Sequence, residues 1–116
     1  MHPEFTKADR KHIREMAKLA WERKLRDEIV GIGDAIQKMQ SGEISPNEVN
    51  DIIHQFHEGP SRELFKLFSD SLPWYAVCRA HYDGVIADDE ISHTSKTIRD
   101  GLKRFADTYQ EINAIE

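Results

Sequence analysis

At 116 residues and 13.5 kDa the chain has material for one hydrophobic core and not for two. Hydrophobic residues make up 39% of it and charged residues 32%, with a mean hydropathy of −0.65, which suits a soluble helical domain with heavily charged faces and excludes membrane spans and full disorder. A formal charge of −5 and an isoelectric point near 5.7 argue against non-specific nucleic-acid binding, which rests on neutralising phosphates with Lys and Arg.

The opening Met1-His2-Pro3-Glu4-Phe5 lacks the apolar core of a secretory signal, and residues 1–5 are expected to lie outside the fold. Thr6 and Asp9 have capping-box spacing, and apolar residues then recur at Ile13, Met16, Ala17, Ala20, Trp21, Leu25, Ile29, Ile32, Ile36 and Met39. From Leu25 the steps are four, three, four, three, a heptad-like seam, and the whole reads as one long helix over about 7–40. Gly31 and Gly33 inside it each cost about 1 kcal/mol relative to Ala, so they predict a bend or a close approach of another backbone. Lys7, Lys11, Arg14 and Lys18 form a basic stripe on the same helix, with Asp9, Glu15 and Glu22 interleaved, the pattern of a solvated face. A helix of this length spans about 50 Å, whereas a compact chain of this size has a radius of gyration of roughly 13 Å. It therefore overhangs, and its seam is expected either to break at the glycines or to pair with another subunit.

Ser41-Gly42 stops the first helix. Ser45, Pro46 and Glu48 then supply a cap, a first helical position and a capping-box acid, opening a second helix over about 46–58 with Val49, Ile52, Ile53 and Phe56 on its apolar face. Gly59-Pro60 ends it, and Ser61 opens a short helix over about 61–70 in which Leu64, Phe65, Leu67 and Phe68 cannot share one stripe. Leu72-Pro73 leads into a helix over about 73–83, and a last long helix is read over about 88–115 from Ile91, Ile98, Leu102, Phe105, Tyr109 and Ile112. The expected fold is all-α: a single helical domain, a bundle of two long helices enclosing three short ones.

Two segments repeat, Gly42-Glu43-Ile44 to Glu48 and Gly84-Val85-Ile86 to Glu90, with the Gly, aliphatic and Glu spacing of the back half of a calcium loop. The positions that need carboxylates hold Gln37, Met39 and Ser41 in one case and Arg79, His81 and Asp83 in the other, so a shared helix stop and cap explain the repeat. Asp51, His54, His57 and Glu58 form the densest cluster of metal-capable side chains, at turn spacing on one helix, and would take zinc or iron if His81 or His93 arrived from another helix. Acid-x-x-His recurs at Asp9/His12, Asp51/His54 and Glu90/His93, the pattern of a di-iron bundle, but these residues miss the inferred core seams. Cys78 and His81 could be drawn as a thiolate–imidazole pair, yet a lone Cys between Val77 and Ala80 reads as a small buried hydrophobe. As the single cysteine it asks for no oxidising compartment, which makes the cytoplasm the expected location.

The aromatic block from Phe56 to Tyr82 is the feature with most to bury. Most of it must be core, and Trp74, Tyr75, Phe65 and Phe68 are the expected partner contacts, with Trp74 after Pro73 as the exposed anchor. These residues and the seam predict a protein that works by association, as a homodimer or as an adaptor, immunity or antitoxin-like partner, without a cofactor and without a catalytic constellation. A metal-binding bundle built on Asp51, His54, His57 and Glu58, acting as hydrolase or oxidoreductase, is the competing expectation.

Overall fold

The computed structural model describes residues 4–59 and 73–115. Within them the chain is all-helical, with four α-helices, one 3-10 turn and no strand. Helix α1 (Lys7–Gln40) opens on the expected reciprocal cap: the Asp9 N–H donates to Thr6 Oγ1 at 3.0 Å and the Thr6 N–H to Asp9 Oδ2 at 3.1 Å. It then runs unbroken through Gly31 and Gly33, and a Cβ at either position would meet nothing within 4 Å. Neither glycine breaks the helix, and neither lies against another backbone of the described residues. Gly31→Ala and Gly33→Ala are therefore each expected to raise stability by about 1 kcal/mol, read as an upward shift of the urea midpoint.

The repeated segments are two copies of one helix stop. Gly42 and Gly84 have φ of 83° and 80°, a left-handed conformation that L side chains rarely adopt. After each glycine the chain turns back on the preceding helix: Glu43 N–H donates to Lys38 O at 2.9 Å, and Val85 N–H to Ala80 O at 2.8 Å. Helix α2 (Pro46–Glu58) starts at the expected cap, with Ser45 Oγ accepting from the Glu48 N–H at 3.2 Å; only this half of the capping box forms. Helix α3 (Pro73–Tyr82) matches its expected span to within one residue.

The last helix differs from expectation. Instead of starting at Asp88 it is divided into a 3-10 turn, Asp88–Ile91, and helix α4 (Lys96–Ile115). Side chains bonding to nearby backbone compete with the helical ladder here. Thr94 Oγ1 donates to Ile91 O at 2.6 Å, and Ser95 Oγ accepts from the Ile98 N–H at 3.3 Å, so the cap falls at Ser95. The expected helix at 61–70, with Phe65 and Phe68, lies outside the described residues.

Helix α3 packs against both α1 and α4, while α2 folds back on α1 through the short connection after Gln40. The core sits at one end. It joins Ile13, Met16, Ala17 and Ala20 of α1 to Val77, Cys78 and Ala80 of α3, Ile86 and Ile91 of the connection, and Ile98 and Leu102 of α4. Phe5, expected outside the fold, packs on this core together with Trp74. Beyond it α1 projects as an arm, and the described fold is correspondingly long: extents of 54 × 34 × 26 Å and a radius of gyration of 17.5 Å, against roughly 13 Å for a compact chain of this length.

Candidate interaction surfaces

The arm is a hairpin of two antiparallel helices, the C-terminal half of α1 and the whole of α2. Its heptad seam is only half used. Leu25, Ile32 and Met39 are half-buried, whereas Ile29 and Ile36, the alternate members of the same seam, are 53% and 37% exposed. Val30, about 100° further round α1, is 55% exposed and Ile53 of α2 43%, and among the described residues only Ala35 and Val49 are buried in the arm. Two helices offer each other one face apiece, and an amphipathic stripe wider than that face stays in solvent until a further layer covers it.

A second surface is aromatic. On α3, Tyr75 and Tyr82 bracket Arg79 at helical spacing and meet Phe105 and Tyr109 of α4. Tyr75 stands edge-on to Phe105 at 5.7 Å between ring centroids, Tyr82 edge-on to Tyr109 at 4.8 Å, and Phe105 stacks with Tyr109 at 5.5 Å. The Arg79 guanidinium lies 4.7 Å from the Tyr109 centroid and donates to Tyr75 Oη at 3.4 Å. Of the expected partner contacts, Tyr75 belongs to this face and is exposed. Trp74 does not stand free. It is half-buried against the core, edge-on to Phe5 at 4.8 Å, because the chain before Thr6 returns to cover it. Phe105 and Tyr109 were missed as partners of Tyr75 and Arg79; their four-residue spacing on α4 was the available signal.

The head of the molecule is tied together by one ion pair. Arg23 Nη1 donates to Glu90 Oε1 at 2.7 Å and to the Val85 carbonyl at 2.8 Å, while Nη2 donates to Glu90 Oε2 at 2.6 Å. Glu90 Oε1 also accepts from the Ala87 N–H at 3.0 Å. The Arg23 guanidinium, helped by that N–H, holds the Glu90 carboxyl well below its ordinary value, at about 2. Asp9 shifts the same way, through the Ser95 hydroxyl first and the Thr6 backbone second. A carboxyl whose folded value is depressed contributes stability in full above its unfolded value and loses it as pH falls through the folded one. Between about pH 4.5 and 2 the wild-type chain is therefore expected to lose stability progressively. Glu90→Gln should lower stability at pH 7 and flatten that acid limb, measured as denaturant midpoint against pH; a limb unchanged by the substitution would show that the pair contributes nothing.

The expected metal ligands are not gathered. Asp51, His54, His57 and Glu58 are all exposed on α2, and the contact within the set is His54 Nε2 to Glu58 Oε1 at 3.5 Å. Neither histidine expected from another helix reaches them: His81 Nε2 lies 2.8 Å from Asp88 Oδ1, and His93 stands edge-on to His12 at 5.3 Å. Among the described residues no group of three or more His, Cys, Asp or Glu side chains is arranged to hold a metal ion. Two of the three acid-x-x-His motifs do meet, through His12 and His93, but Glu90 of the second is taken by Arg23. Cys78 is buried, and burial pushes its thiol up to about 12, which leaves no reactive thiolate at neutral pH. No helix among the described residues is long and apolar enough to cross a membrane.

Compared with protein-family models, curated proteins and solved structures, the chain matches none of them.

Proposed function

We propose that this chain works by associating with another protein chain, and that the arm is its contact element. The observation that carries the reading is the half-used seam: Ile29 and Ile36, two turns apart on one face of α1, are exposed on a hairpin that projects from the core. Apolar seam positions left in solvent mark interaction sites. The aromatic face of α3 and α4 is a less economical choice, because its rings already pack on one another in pairs and Arg79 lies over Tyr109. We further propose a cytoplasmic setting for this association, since a single cysteine forms no intrachain disulfide and asks for no oxidising compartment.

The test compares the chain with its Ile29→Lys/Ile36→Lys variant in a lysate of the cell that makes it, at native abundance, by size separation and immunodetection. Both positions are exposed and away from the core, so the variant keeps the head intact. The expected result is a wild-type particle heavier than the same chain run denatured, falling to the mass of that one denatured chain in the variant. A wild-type chain already at its denatured single-chain mass would overturn the reading.

A further inference from the structure

The charge of the chain is separated along α1. Residues 4–25 hold seven Lys and Arg against four Asp and Glu, whereas residues 26–58, the arm, hold two against seven. Helical geometry, at about 100° per residue, sets Lys7, Lys11, Arg14 and Lys18 within about 60° of Ile29 and Ile36. All six are exposed, so one face of a 34-residue helix is basic over the head and apolar over the arm. The buried Ile13, Met16 and Ala20 take the opposite side of α1.

We propose that the partner of the arm is a second copy of this chain, with α1 packed antiparallel on the α1 of the other copy so that each acidic arm lies over the other's basic half. This rests on the association reading above and names its partner. A two-fold crossing at the midpoint of α1, between Arg23 and Lys24, brings Ile36 of one copy opposite Lys11 of the other and Ile29 opposite Lys18. Lysine stems then cover the isoleucines while their ammonium groups reach the arm's carboxylates, among them the exposed Glu28, Glu48 and Asp51. A parallel pairing would instead bring acidic arm to acidic arm and basic half to basic half. Charge placed in this way selects the orientation and makes the pairing sensitive to salt.

Sedimentation of the purified full chain at low and at high salt, followed by disulfide trapping, tests this. The wild type is expected to sediment at twice 13.5 kDa and to dissociate at least tenfold more readily at ~1 M salt. Chains carrying Ile36→Cys alone and Lys11→Cys alone, mixed and oxidised, are expected to give the mixed disulfide and no Ile36→Cys homodimer; buried Cys78 does not interfere. A two-chain particle that traps Ile36→Cys to itself, or traps neither pair, overturns the antiparallel arrangement and leaves the association reading standing. A single chain at every concentration overturns the second copy as partner, and the lysate measurement then decides whether a different protein takes its place or the association reading falls too.

Discussion

Truncating Leu102 to alanine is expected to lower stability by about 2–5 kcal/mol, the range for removing most of a buried leucine side chain from a well-packed site. Leu102 is 1% exposed on α4, one turn beyond the fully buried Ile98. It belongs to the core with Ile13, Met16, Ile86, Ile91 and Ile98, against which Phe5, Trp74, Val85 and Phe105 also pack. A domain of this kind has about 5–15 kcal/mol in total, so the variant should be close to unfolding at 37 °C. Urea denaturation followed by tryptophan fluorescence reads the loss, and Ile112→Ala, at a position 55% exposed on the same helix, is the control that should change little.

Enlarging Ala20 to leucine is expected to cost about 1–3 kcal/mol, for the opposite reason. Ala20 has no exposed surface, and with Ala17 it faces the layer formed by Val77, Cys78 and Ala80 of α3. Small side chains on both helices let α1 and α3 approach closely, and a leucine there must either force an off-rotamer conformation or push the helices apart. The same substitution at exposed Ala8, in the first turn of α1, should be nearly neutral. If Ala20→Leu were as mild as Ala8→Leu, the close packing of α1 on α3 would be wrong.

What was legible in the sequence was mostly local chemistry. The Thr6–Asp9 cap, the Ser45 and Pro46 start of α2 and the stops at Gly42 and Gly84 all depend on residues within one turn of one another, and each is where its spacing put it. The all-α class follows from the same signals. The start of α4 was misread because the apolar period from Ile91 outweighed the local Thr94 and Ser95 bonds that interrupt the helix, while the Glu90–Arg23 pair, 67 residues apart, left no local signal. Trp74 was misjudged for a similar reason, since nothing near it in the chain says that Phe5 will cover it. The seam from Leu25 to Met39 was legible as a period but not as a surface. Periodicity gives the face of a helix, and only the tertiary fold decides that Leu25, Ile32 and Met39 are half-buried while Ile29 and Ile36 stay open. For the metal candidates the limit is the same: four capable residues on one helix need ligands from elsewhere, and His81 and His93 are engaged with Asp88 and His12.

The central claim is that the open face of the arm is the contact surface between two copies of this chain. Native mass spectrometry of the purified tag-free chain, beside its Ile29→Lys/Ile36→Lys variant, tests it most directly. A two-chain particle at twice 13.5 kDa for the wild type and a single chain for the variant is the predicted result. A two-chain particle that survives both substitutions, or a wild type that stays single at concentrations well above micromolar, would contradict it.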